Sequence, residues 1–248
     1  YKKLKVIEDC KSPNSFLLLV AECSEIKSSE KELINKATFI VKNNFFSLYE
    51  ISPSIIQQTS DSTYIKVKNE LASEKLFSFN NYYSTDSINR FLSLDFNDKI
   101  SSYSYEGKGC YTGNIKKYNR IFEGNIPNII PDSEFVFSFW FGKIDQDLFP
   151  RTTVEVAYAD SLGNIIRADS CAINRLIKTI NNDWALTEFR FKMKSEEKKL
   201  LVTIWNNDLK NKDTLFIDEI LIRPFYTNIY KINKEKSIIK NNREYIKE

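Results

Sequence analysis

Phe135-Val136-Phe137-Ser138-Phe139-Trp140-Phe141 is the stretch on which the reading of the fold turns. It holds no Gly or Pro, and aromatic residues favour strands. Side chains on a strand alternate between its two faces, so Phe135, Phe137, Phe139 and Phe141 share one face. Val136, Ser138 and Trp140 share the other. Four phenylalanines on one face predict a core strand in the middle of a sheet.

The segments downstream repeat the pattern. Residues 153–158 (TVEVAY) read as the next strand, residues 160–164 (DSLGN) as a hairpin turn, and residues 164–167 as the return. Residues 173–180 read equally as a helical turn or a strand. Residues 184–193, 200–205 and 215–222 complete the set. Short strands at this spacing, with few helical patterns, predict an antiparallel sandwich over residues 93–230.

Residues 1–92 predict a smaller β-rich or α+β domain. Residues 4–8 and 16–22 pair around Ser12-Pro13-Asn14, and residues 28–37 form a short helix. Residues 38–41 and 45–51 are strands turning at Asn43-Asn44. Residues 54–58 open a helical turn after Pro53, and residues 63–67 and 76–79 are further strands. Residues 231–248 read as a basic tail, with six basic and three acidic residues. That tail accounts for the whole net charge of +3. The body is therefore balanced, without the basic stripe of a nucleic-acid binder, and no nucleic acid is expected.

A chain of 248 residues, 42% hydrophobic and 28% charged, is globular and buries a sizeable core. It contains no histidine. That excludes Ser-His-Asp and Cys-His nucleophile systems and histidine-ligated zinc. Six glycines leave little for phosphate-cradling loops, and no P-loop, GxGxxG or GxSxG is present. Cys10, Cys23, Cys110 and Cys171 form no CxxC pair, and their pairing stays open. The longest apolar run is far short of a membrane span. The chain opens on Tyr1 and has a single methionine, Met193. A removed upstream signal, membrane anchor or further domain is expected, with an extracytoplasmic location.

Four pieces, in order, carry a family resemblance. They are Asp95-Phe96, the segment Ser104-Tyr105-Glu106-Gly107-Lys108-Gly109, the aromatic strand from Phe135, and Leu215-Phe216-Ile217-Asp218-Glu219-Ile220. Together they resemble the galactose-binding-like jelly roll of carbohydrate-binding modules. The fold class is then mainly β: an antiparallel jelly-roll β-sandwich preceded by the smaller domain. The resemblance implies a glycan partner, no catalysis, and a structural calcium at Asp95 and Asp218, with Asp98 near enough to add an oxygen. Sugars stack on aromatic faces beside polar groups. Parity makes Trp140 and Trp205 the stacking candidates and Glu155 the polar one. Two accounts of Trp140 stand together: an open platform, or a ring packed under a neighbouring segment. Two other readings of the chain also stand. One is a structural or adhesive extracytoplasmic domain without a sugar ligand. The other is a divergent glycosidase using two carboxylates.

Overall fold

The computed structural model describes residues 16–21, 34–42, 46–51, 53–96, 103–114, 118–142, 152–181, 184–206, 214–233 and 237–246. Residues 4–8, read as a strand, and most of the helix read over 28–37 lie outside them. The chain divides into two compact units. One comprises residues 1–73, 233–238 and 245–248, the other residues 74–232 and 239–244. The division expected at residue 92 thus falls at 73. Glu74 already belongs to the second unit, where its carboxylate accepts from the Tyr230 hydroxyl (2.6 Å) and the Asn228 amide (2.8 Å).

In the first unit β1 (Phe16–Ala21), β2 (Thr38–Lys42) and β3 (Phe46–Ile51) form an antiparallel sheet in the order β1-β3-β2. Helix α1 (Pro53–Ser73) follows. The strand expected at residues 63–67 lies inside this helix and is corrected. Pro53 supplies a preset first helical position, and no Gly or Pro interrupts the next twenty residues. Five alternating residues carry only a weak β preference, and a helix already propagating through them outweighs it.

The second unit begins with β4 (Phe77–Phe79), β5 (Tyr82–Ser84), β6 (Leu92–Leu94), β7 (Tyr111–Asn114) and β8 (Asn119–Gly124). It continues with β9 (Glu134–Gly142), β10 (Thr152–Ala159) and β11 (Ile165–Ala172). A 3-10 turn (Ile173–Arg175) then leads to β12 (Ile177–Asn181). Next come β13 (Trp184–Lys192), β14 (Lys199–Asn206), β15 (Thr214–Pro224) and β16 (Ile229–Asn233), which pairs with β5. Strands β17 (Ser237–Lys240) and β18 (Arg243–Ile246) end the described chain.

Two antiparallel sheets make the sandwich: β11-β10-β14-β8 and β12-β13-β9-β15-β6, with β7 also on β15. The aromatic strand β9 is central, between β13 and β15, as its composition predicts. Its four phenylalanines are at most 1% exposed. They share the core with the inward residues of the other sheet, such as Val154, Val156, Leu200, Val202 and Ile204. Phe137 stacks on Phe189 with centroids 5.0 Å apart.

The second face of β9 is buried too. Tyr105 stacks on Trp140 at 3.9 Å, and Tyr103 stacks on Trp184 at 5.0 Å. Asn241 and Asn242 close the β17–β18 turn with positive φ at both residues, which asparagine tolerates. The backbone carbonyl of Asn242 accepts from Trp140 Nε1 at 2.9 Å. Its side-chain amide donates to the carbonyl of Glu219 and to Ser138 Oγ. Part of the expected tail is therefore built into the sandwich unit.

Candidate functional site

The sandwich unit carries a cleft of about 540 Å³. It exists because β12 pairs with β13 only as far as Thr187, with one further bond from the Glu188 amide to the Leu176 carbonyl, leaving Phe189 to Lys192 without a strand partner on that side. The cleft wraps that edge. One wall is apolar and comes from the inward face of β10 and from β13: Val154, Val156, Tyr158 and Phe189. The other is charged. Arg190, Val136 and Arg223 lie abreast on neighbouring strands, because Val136 is the register partner of both arginines. Arg175 and Lys178 add two exposed cations from the other side. The acids on the walls are Asp169 and Glu188.

The cations are unevenly neutralised. Asp169 is held by Arg167 at 2.8 Å, and Arg190 lies 3.8 Å from Glu134 with its guanidinium 3.9 Å over the Phe225 ring. Arg223 is 7% exposed, and no described carboxylate makes an ion pair with it. Its Nη1 donates to the backbone oxygens of Pro224, Phe225 and Thr227, while its buried Nε has no partner. Burial lowers its affinity for the proton, and Glu188 partly offsets this from a distance. An arginine stays charged at any ordinary pH, so a buried cation faces this cleft without a paired anion.

Beneath the cleft a clamp fixes the apolar wall. Glu197 is buried and accepts from Arg167 at 2.6 and 3.2 Å and from the Lys194 amide at 2.8 Å. Arg167 lies 3.5 Å over the Tyr158 ring. Burial raises the Glu197 carboxyl, but Arg167 and the amide outweigh it and hold the group below its usual range.

None of the residues expected to bind a ligand lines this cleft. Trp140 stands on the second face of β9 as parity requires, but it is 2% exposed and covered by Tyr105 and Asn242. The open-platform account of Trp140 is corrected, and the account that packs it under a neighbouring segment describes it. Trp205 is half-buried, 5.7 Å from the exposed ring of Tyr118. Glu155 is also half-buried, on the same outward face of β10 and β14, opposite Thr203. Arg190 and Arg223 carry no motif that marks them in the sequence, each being one of three charged residues on its strand.

Asp218, the first of the acids expected to hold calcium, is buried. Both oxygens of Asp218 already accept backbone N–H groups, from Tyr105 (2.8 Å), Glu106 (3.3 Å) and Glu219 (2.9 Å). Asp95 is exposed, and Asp98 lies outside the described residues. Among the described residues no group of three or more acids is arranged to hold a metal. Lys231 Nζ lies 2.8 Å from Glu106. Glu219 is buried beside them at a bulge, where three steps of β15 oppose two of β9. Its φ is +47°. Burial pushes its carboxyl up to about 8, with Lys231 opposing and Glu106, Asp218 and Asp95 adding to the rise. Cys110 and Cys171 are free thiols, and Cys171 reaches the cleft wall.

No protein-family model matches the chain, and no curated protein sequence matches it. Solved structures that resemble the sandwich include the CBM22-1 xylan-binding domain of Paenibacillus barcinonensis Xyn10C. It is 13% identical, with 54% of this chain and 92% of that one covered and a TM-score of 0.37. The C-terminal family 22 carbohydrate binding module of Clostridium thermocellum Xyn10B is 17% identical over 59% and 88%, at 0.33. The infectious bursal disease virus VP2 particle protein is 8% identical over 54% and 32%, at 0.34. The two-sheet antiparallel sandwich itself is established by the strand pairing of this chain.

Proposed function

We propose that the sandwich unit is a non-catalytic glycan-binding module and that it takes its ligand in the cleft along the free edge of β13. The cleft's size and lining carry this reading. About 540 Å³ with one apolar wall and several convergent polar groups is what a saccharide site requires. The apolar wall meets the C–H faces of the rings, and the polar groups meet the hydroxyls. A module of this kind works outside the cytoplasm, attached to a larger surface or secreted protein.

A second reading places the sugar on the outward face of β10 and β14. The half-buried Trp205 and exposed Tyr118 favour it, with Glu155, Thr203 and Arg120 alongside. A glycan array with three proteins separates the readings. Cys171 is the register partner of Val154 and so faces the cleft, and Cys171→Trp fills it. Loss of binding in that variant, with Trp205→Ala unaffected, is the expected result. Loss in Trp205→Ala alone moves the site to the sheet face. Absence of glycan binding in the unmodified chain leaves the structural or adhesive reading.

A further inference from the structure

We infer that the cleft selects acidic glycans, with Arg223 facing a sugar carboxylate and Arg190 and Lys178 gripping it at the rim. This deepens the glycan reading above and rests on it. The observation that carries it is the buried guanidinium of Arg223, which lines the cleft with an unpartnered Nε and no ion pair to a described carboxylate. A buried charge without a counter-ion is costly, and a ligand anion supplies the missing charge. A guanidinium is planar and matches the planar carboxylate of a uronate better than it matches a hydroxyl.

The surrounding charges agree. Four cations reach the walls (Arg175, Lys178, Arg190 and Arg223), against Asp169 and Glu188. Asp169 is already committed to Arg167. Neither Arg175 nor Lys178 makes an ion pair with a described acid. Residues 1–230 carry as many acidic as basic side chains, cleft included, so the cationic excess at the cleft stands against an acidic remainder of that stretch.

The test uses the full chain and matched ligands. Oligogalacturonates, alginate oligomers and glucuronate-bearing xylan oligomers are each titrated beside their methyl esters, which keep the rings and remove the charge. The expected result is binding to at least one free acid that weakens tenfold or more on esterification and falls with added salt. Arg190→Gln and Lys178→Gln, both at exposed positions, should each weaken that binding several-fold, and Arg223→Gln more. If Arg223→Gln fails to fold, the two rim variants still decide. Equal binding of acid and ester, or of neutral glycans alone, overturns the inference and leaves the glycan reading standing. Equal binding of inorganic phosphate or of heparin shows indiscriminate anion capture and overturns the selection for carboxylates. Binding of no saccharide at all overturns both.

Discussion

At Trp140 the alternation of β9 tells which face the indole occupies, and nothing nearby tells what lies over that face. The cover comes from Tyr105 and from Asn242, 102 positions further along the chain. Parity is local and was legible; the cover depends on pairing across the whole unit and was not. Because the indole is internal, Trp140→Ala should cost about 3–5 kcal/mol, much as Phe137→Ala does. Urea denaturation of the two variants checks this, and a Trp140→Ala midpoint close to the unmodified protein would contradict it. Glu219 supplies a second expectation. Its carboxyl titrates at about 8 in the fold, against an ordinary 4.5. Between those values the folded chain retains a proton that the unfolded chain has released. Stability is therefore full below about 4.5 and falls as pH rises towards 8, by on the order of 3–5 kcal/mol. Glu219→Gln should flatten thermal stability across that range. A slope unchanged by the substitution would place the titration elsewhere.

Among the elements, β9, β10, β13, β14 and β15 were legible because each repeats the period of a strand for eight residues or more. Helix α1 was not, since its TYIKV segment alternates like a strand and only the uninterrupted run from Pro53 shows otherwise. The cleft was also hidden. It arises where β12 stops short of the full length of β13, and strand ends are set by tertiary packing. The β13–β14 connection is held by Glu197, so Glu197→Ala should cost about 1–3 kcal/mol by removing the buried acceptor of Arg167 and of the Lys194 amide. It should also loosen Tyr158 on the cleft wall. A chemical melt gives the first effect and glycan affinity the second. A calcium at Asp95 and Asp218, which the resemblance implies, predicts that chelation lowers the melting temperature and that added calcium restores it; a melting temperature unchanged by chelation would refute it. Gly142 sits against Trp184, where an added Cβ would come 2.7 Å from the indole ring. Gly142→Ala should therefore cost about 1–3 kcal/mol by urea melt.

For the molecule as a whole, the sandwich class followed from the order of the strands, and the division into units did not. The first unit draws on residues 1–73 and again on residues 233–238 and 245–248, with the sandwich unit lying between in the chain. Asn242, which holds Trp140 and Glu219, comes from that same late stretch. A ribosome delivers a chain from one end only. The first unit is thus begun before the sandwich and completed only after residues 74–232 have been synthesised. The edge strands β1 and β2 of its sheet are made well before that completion, so the pace of translation bears on how this sequence reaches its fold.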